Sequence, residues 1–262
     1  MSAGGAGAAG PAVGLALLLL GSAAVEALEP GAPTGAVGAE AATPLPQLRA
    51  YEAPEPWRQP VAPLRIAEDT WQIGTAGLSV LLLVGDEGAI LIDGGMPQAA
   101  GQVLANVRAL GLAPADVKLI LHSHAHVDHV GPLAGLKRAT GARVLANAES
   151  AALLARGGAE DIHYGDAMVY PPVQADRLLQ DGETVELGRL RLTVHFTPGH
   201  TPGSMSWSWQ DRAPDGTPLR IVYADSMSAP GYRLLDNPAT PASSRTIAPA
   251  WPRCARCPAT CC

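Results

Sequence analysis

Apolar residues along this chain fall in short runs cut by polar, glycine-rich turns, and the runs have two periods. Residues 79–85 (SVLLLVG) and 89–93 (AILID) are nearly continuous apolar segments split by Asp86-Glu87-Gly88. Short unbroken runs bounded by turn residues predict a hairpin of buried strands. Residues 97–110 open on Pro97 and set Val103, Leu104, Val107 and Leu110 at helical spacing, which predicts a helix. Residues 117–121 (VKLIL) return to the strand pattern. Helices are predicted at 131–140 and 148–156 around a strand at 143–146, followed by an irregular loop over 157–176. Four further short strands are predicted at 184–187, 190–196, 204–209 and 221–224. Strands interleaved with helices favour two sheets with helices outside over an all-β sandwich.

The 262 residues are ample for a buried core. Glycine and proline are frequent, 29 and 24 residues, yet 47% of the chain is hydrophobic, too much for a disordered protein. The net charge of −6, with no basic run, argues against a nucleic-acid partner. Lysine occurs twice, at Lys118 and Lys137, and arginine supplies the rest of the 18 basic residues. With the abundance of alanine, glycine and proline, that usage is the mark of a GC-rich gene.

The first segment reads as an address. Residues 12–25 (AVGLALLLLGSAAV) are apolar, shorter than the roughly 20 residues a membrane span needs and suited to a secretory signal. Residues 1–27 are therefore expected to be a signal peptide, the protein periplasmic or secreted, with no stable membrane anchor after cleavage. Residues 28–64, rich in proline, alanine, glycine and glutamate, read as a linker or surface arm.

Chemistry concentrates after the strand at 117–121. Four of the seven histidines, His122, His124, His126 and His129, lie within eight residues, with Asp128 among them. Side chains two apart on an extended segment share a side, so His124 and His126 can grip one ion. Asp128 and His129, at the turn into the next helix, can aim at a second. Imidazole with carboxylate suits Zn²⁺. His200 sits in a loop shaped by proline and glycine, Thr197-Pro198-Gly199-His200-Thr201-Pro202-Gly203-Ser204, and is the candidate third ligand at a strand end.

Taken together, His124-x-His126-x-Asp128-His129, the run from Thr197 to Ser204, Asp93-Gly94-Gly95 and Tyr223-Ala224-Asp225-Ser226 resemble the metallo-β-lactamase superfamily. Trp71-x-Ile73-Gly74-Thr75-Ala76-Gly77-Leu78 and Asp225-Ser226-Met227-Ser228-Ala229-Pro230-Gly231-Tyr232 resemble its third subclass of class B β-lactamases. The likeness covers residues 65–238. It implies an α+β fold, a four-layer αββα sandwich, with two zinc ions at one edge between the sheets. His124, His126 and His200 would hold the first, and Asp128 and His129 would be ligands of the second. Asp128 would also serve catalysis, Ser226 and Ser228 would meet the substrate carboxylate, and Tyr232 would line the pocket. The implied reaction is hydrolysis of a small-molecule β-lactam by zinc-activated hydroxide, carried out by a monomer. Two roles stay open for Asp225: support from behind a ligand, or the metal-bridging aspartate of glyoxalase-like hydrolases. Asp93 is expected to orient the ligand strand without being a ligand, and His122, His163 and His195 to be structural or solvated. The alternatives are a thioester or lactone hydrolase of the same fold and a non-catalytic zinc-binding fragment.

Residues 239–262 depart from this picture. They contain no Asp, Glu, Leu or Val and hold all four cysteines, Cys254, Cys257, Cys261 and Cys262. A small zinc knuckle or a disulfide-bonded tail are two readings of that pattern. A shifted reading frame is the preferred one. Codons built across residue boundaries over 242–248 permit Ile-Val-Glu-Asp-Tyr-Arg, close to what the resembled family carries after Asn237-Pro238. On this reading the sandwich's second half is incomplete and the second zinc lacks its last histidine. The 262-residue chain is then expected to turn over β-lactams weakly or not at all.

Overall fold

In the computed structural model of the chain, the described residues are 51–228. The signal-like segment at 1–27, the first part of the arm, Tyr232 and the tail at 239–262 lie outside them. The described chain begins with one helical turn, α1 (Glu55–Arg58), followed by strands β1 (Leu64–Arg65), β2 (Thr70–Gln72), β3 (Leu81–Val84) and β4 (Ala89–Ile92). Helix α2 (Ala100–Ala109) leads to β5 (Val117–Leu121). The short α3 (Val127–Val130) and then α4 (Leu133–Thr140) lead to β6 (Arg143–Ala146), and α5 (Ala148–Ala155) to β7 (Arg177–Leu178). Strands β8 (Thr184–Leu187), β9 (Leu190–Phe196), β10 (Met205–Arg212) and β11 (Pro218–Tyr223) follow.

Strands β1 to β7 form one sheet in chain order, and β8 to β11 form a second, ordered β11-β10-β9-β8. The pairs from β1 to β4 are antiparallel and those from β4 to β7 parallel. A parallel pair needs a crossover, which a helix supplies; α2, α4 and α5 fill that role. The central strands read as continuous apolar runs because both of their faces are covered. Leu82, Leu91, Ile120 and Val144 pack with Val103 and Val107 of α2, Leu133 and Leu136 of α4 and Leu154 of α5. Leu81, Leu83, Ile90, Ile92, Leu119, Leu121 and Leu145 join a separate core with Val185, Leu192, Val194, Met205, Trp207 and Trp209 of the second sheet. Each such side chain, fully buried, stabilises the fold by roughly 1.5–3 kcal/mol. Trp207 is completely buried and its indole N–H donates to the His122 carbonyl at 2.9 Å, so the core hides no unpaired indole donor.

The described residues thus build helices, sheet and sheet, three of the four expected layers. The predicted central strands and helices appear close to their expected bounds. Three short strands, β1, β2 and β7, had no sequence signal, since two or three residues cannot display a period. Strand β10 runs past Trp209 to Arg212, where Gln210, Asp211 and Arg212 pair with Arg220, Leu219 and Pro218 of β11. Pro218 is tolerated there because β11 is an edge strand. Helix α4 starts at Leu133, two residues later than the spacing suggests, since Pro132 precedes it as its cap, and it ends at Gly141 with φ +72°, a conformation glycine adopts without strain. The described part of the arm lies on the domain, with Pro56 and Trp57 against Gly77 and β1 paired to β2. No helix among the described residues is long and apolar enough to cross a membrane.

Candidate metal centre

Strand β5 runs in the middle of the first sheet, and the chain leaving its end carries the histidine cluster. His124 and His126 lie on the extended segment before α3, whose single turn carries Asp128 and His129. His200 arrives from the second sheet on the loop between β9 and β10. That loop is pinned by Thr197 N–H to the Ser204 carbonyl (2.9 Å) and by the Ser204 hydroxyl, which accepts from Thr201 N–H (3.0 Å). It is also clamped to α5. The Gly203 carbonyl accepts from Asn147 Nδ2 (3.0 Å) and Ser150 Oγ (2.8 Å), at the helix start that Asn147 itself caps. A Cβ on Gly203 would come within 2.4 Å of Ser150 Oγ, so glycine is required for this close approach.

The five predicted ligands converge. Donor atoms of His124, His126 and His200 lie within 4.8 Å of one another, as do those of His124, Asp128 and His129. His126 Nδ1 and His200 Nε2 are 3.1 Å apart. His124 Nε2 is buried with no hydrogen-bond partner, which in a purely structural histidine would be a cost. The opposite nitrogens face acceptors. His124 Nδ1 meets Asp225 Oδ1 at 2.7 Å, His200 Nδ1 meets the Ser228 carbonyl at 2.8 Å, His129 Nδ1 meets Asp93 Oδ2 at 2.9 Å, and His126 Nε2 lies 3.5 Å from Asp161 Oδ2. A neutral imidazole hydrogen-bonded this way, as at His124 and His200, has a fixed tautomer and presents the other nitrogen to an ion, whereas His126 Nε2 makes no hydrogen bond. The donor set and its orphaned nitrogen therefore fit a metal.

The electrostatics suit a cation. Burial, reinforced by the neighbouring imidazoles, His129 first among them, holds the His124 imidazole well below its usual pKa, so it is neutral and available as a ligand. Burial would raise Asp128, but hydrogen bonding and charge from His129 outweigh it and keep the carboxyl ionised. Burial also opposes protonation of His129, yet the Asp93 and Asp128 carboxylates raise its pKa well above the usual value. Burial pushes Asp225 up and holds His122 down at about 4. His122 stays a neutral, fully buried core residue. His195 bonds Ser208 Oγ at 2.7 Å, and the His163 ring packs on Tyr164 at 4.3 Å.

Three carboxylates, Asp93, Asp225 and Asp161, organise the centre, and only Asp161 was not singled out by its sequence context. Asp93 is fully buried, with φ +63°. It accepts from Ser123 N–H (2.7 Å), Ser123 Oγ (2.8 Å), His129 and Tyr223 Oη (2.7 Å). It is the orienting residue expected of it. Asp225 stands behind His124, on the side away from the converging nitrogens. Asp161, in the loop 157–176, accepts from His163 and Tyr164 N–H, both at 2.8 Å, and so ties that loop to His126. Burial alone would raise its pKa, but the His126 contact and the two backbone donors hold it at about 2, below the ordinary 3.8. A depressed carboxyl adds stability above about pH 3.8 that is lost as pH falls through about 2. Asp161→Asn is expected to remove that component, so thermal melts of the variant between about pH 5 and pH 2 should fall less steeply than those of the parent. Parallel slopes would exclude the role.

A cavity of about 500 Å³ opens over the centre, lined by Asp128, His129, Ser226, Ser228 and, from other elements, Trp57, Tyr164 and Tyr223. Ser226 and Ser228 thus stand on its wall, while Tyr232 lies outside the described residues. Trp57 and Tyr164 were not anticipated, because single aromatics in an arm and a loop carry no local signal.

Comparison with known proteins places this geometry among relatives. A family model described as "Metallo-beta-lactamase superfamily" matches residues 74–212. A metallo-β-lactamase of Cronobacter sakazakii with a HARLDQ motif is 43% identical, with 76% of this chain and 75% of that one covered and a TM-score of 0.71. The class B3 di-zinc metallo-β-lactamase LRA-12 from an Alaskan soil metagenome is 30% identical, with 79% and 78% covered and a TM-score of 0.75. A hydroxyacylglutathione hydrolase of Anaeromyxobacter dehalogenans is 38% identical over 151 residues, 58% of this chain and 49% of that protein. The chain spans about half the length of the curated relatives it matches.

Proposed function

We propose, from the premise that this chain belongs to the metallo-β-lactamase superfamily, that it is a zinc-dependent β-lactamase of the class B3 kind. The proposal places it in the periplasm or outside the cell after export by residues 1–27, acting as a monomer on a small-molecule substrate. The observation that carries it is the convergence of His124, His126 and His200 beside Asp128 and His129, under a cavity walled by Ser226 and Ser228. In this reading the three histidines hold one zinc and Asp128 and His129 contribute to a second. When bound, the zinc supplies a Lewis acid for the amide carbonyl and a water whose pKa is lowered to about 7. The Asp128 carboxylate, held ionised, orients the attacking water. The Ser226 and Ser228 hydroxyls donate to the substrate carboxylate, and Trp57 and Tyr164 keep bulk water from the β-lactam ring.

A second reading, thioester hydrolysis, draws on the hydroxyacylglutathione hydrolase relatives and on Asp225, whose Oδ2 is buried without a partner. The 2.7 Å contact of Asp225 with the far nitrogen of His124 supports the lactamase reading, because a carboxylate in that place braces a ligand. The test is parallel turnover of nitrocefin, a carbapenem and an acyl thioester, with and without EDTA and added zinc. EDTA-sensitive β-lactam turnover is expected. Thioester turnover with no β-lactam turnover would replace the proposal by the second reading.

A further inference from the structure

Asp93 Oδ2 receives three donors: Ser123 Oγ at 2.8 Å, His129 Nδ1 at 2.9 Å and Tyr223 Oη at 2.7 Å. Asp93 Oδ1 receives the Ser123 backbone N–H. A carboxylate oxygen offers about two lone-pair sites, so the three donors on Oδ2 compete for its charge. The Tyr223 hydroxyl has one proton and two acceptors near it, Asp93 Oδ2 and the Ser79 carbonyl at 3.3 Å. The nearer and charged acceptor takes it. Tyr223 reaches this point from the end of β11, in the second sheet, whereas Asp93 follows β4 in the first. The side chain therefore closes the network from across the sheet interface. The carboxylate does not depend on it for position, since the Ser123 backbone and hydroxyl already fix both oxygens.

We propose that Tyr223 is a positioning residue that limits the affinity of the second metal position: by sharing Asp93 Oδ2 it weakens the hydrogen bond from His129 Nδ1 and so lowers the donor strength of His129 Nε2. The strength of the bond behind an imidazole sets how good a ligand it is. Tyr223 thus acts on His129 in the opposite sense to Asp93, and removing its hydroxyl tightens metal binding where loss of a bracing group ordinarily loosens it. The inference rests on the assignment of His129 as a metal ligand and goes beyond it by adding the residue that tunes that ligand.

Tyr223→Phe keeps the ring in place and deletes the competing donor. Two readouts decide the matter. The first needs no metal: the downfield ring N–H proton of His129, identified by its loss in His129→Ala, is expected to move further downfield in the zinc-free variant as the bond to Asp93 shortens. The second is zinc titration against a chelating dye, in which the more weakly held equivalent is expected to tighten by about threefold or more, below the 10–100-fold span of whole bracing groups. Ser123→Ala removes another donor from the same oxygen and should move the proton the same way, which keeps the inference testable should Tyr223→Phe fold poorly. A proton that stays in place or moves upfield in both variants overturns the inference whatever zinc does. A proton that moves while zinc affinity is unchanged overturns instead the assignment of His129 as a ligand, and with it any effect of Tyr223 on the metal. Weaker zinc binding in Tyr223→Phe with a displaced proton overturns the proposed sign.

Discussion

In the zinc β-lactamase proposed above, His124→Ala is expected to release the tightly held zinc and to lower β-lactam hydrolysis by about 10³-fold or more, with little loss of fold stability. His124 is the hinge of the centre, since it belongs to both converging groups of donors. Removing it takes one ligand from the first position and a close neighbour from the second. A metal acting as a Lewis acid supplies several kcal/mol to the transition state, and each 1.36 kcal/mol is tenfold in rate, so about 10³-fold is a modest forecast. The small stability effect follows from the environment. His124 Nε2 has no protein partner, so the zinc-free fold spends burial energy on a group it does not satisfy. The change does leave Asp225 buried without His124, a cost that pushes the other way. Burial already disfavours the ionised form of Asp225, which reduces that cost. Zinc content after dialysis, nitrocefin turnover and thermal melting of the zinc-free forms measure the three parts. A variant that retains one tight zinc per chain would remove His124 from the ligand set.

The histidine cluster was legible because it is local. His124, His126, Asp128 and His129 occupy six consecutive positions, so extended-chain geometry and one helical turn bring them together whatever the rest of the fold does. His200 was legible through the proline and glycine around it, which mark a loop shaped for a purpose. The strands of the first sheet were legible because burial on both faces leaves an unbroken apolar run, and β9 because one covered face leaves an alternating one. What sets the donor strength of the candidate ligands was legible only in part, since Asp93 and Asp225 stood out in the sequence but their pairings did not. Asp225 lies 101 residues from His124 and Tyr223 lies 130 from Asp93, and their pairing is produced by the packing of two sheets through Trp207, Leu192 and the leucines of β3 and β5. Asp161 sits in a loop with no periodic signal, and its role appears only when its carboxylate is seen holding two backbone N–H groups beside His126. The candidate donors are thus written in short spacing, whereas their orientation is a tertiary property.

That distinction gives the other large prediction. Asp93→Asn is expected to weaken zinc binding by about 10–100-fold and to destabilise the zinc-free fold by about 3–5 kcal/mol. Four donors meet the Asp93 carboxylate, and it is fully buried. An amide offers one oxygen where the carboxylate offers two. With that oxygen toward Ser123 N–H, the amide nitrogen faces Ser123 Oγ, His129 and Tyr223, and His129 Nδ1–H loses its acceptor. With the amide turned, the Ser123 N–H is left against an N–H₂ group. Each unsatisfied buried donor costs roughly 1–3 kcal/mol, and the lost charge removes what holds His129 in the right tautomer. Asparagine is the informative replacement because the backbone at Asp93 has φ +63°, where asparagine is tolerated and most other residues are strained. Asp93→Ala should therefore cost about 1–2 kcal/mol more than expected from hydrogen bonding alone. Urea unfolding of the zinc-free proteins separates the two contributions, and chelator competition gives the metal term. Native stability with native zinc affinity in Asp93→Asn would mean that the four contacts to this carboxylate are incidental. A loss of stability with unchanged affinity would confine Asp93 to joining the sheets and leave His129 to be oriented by the turn of α3.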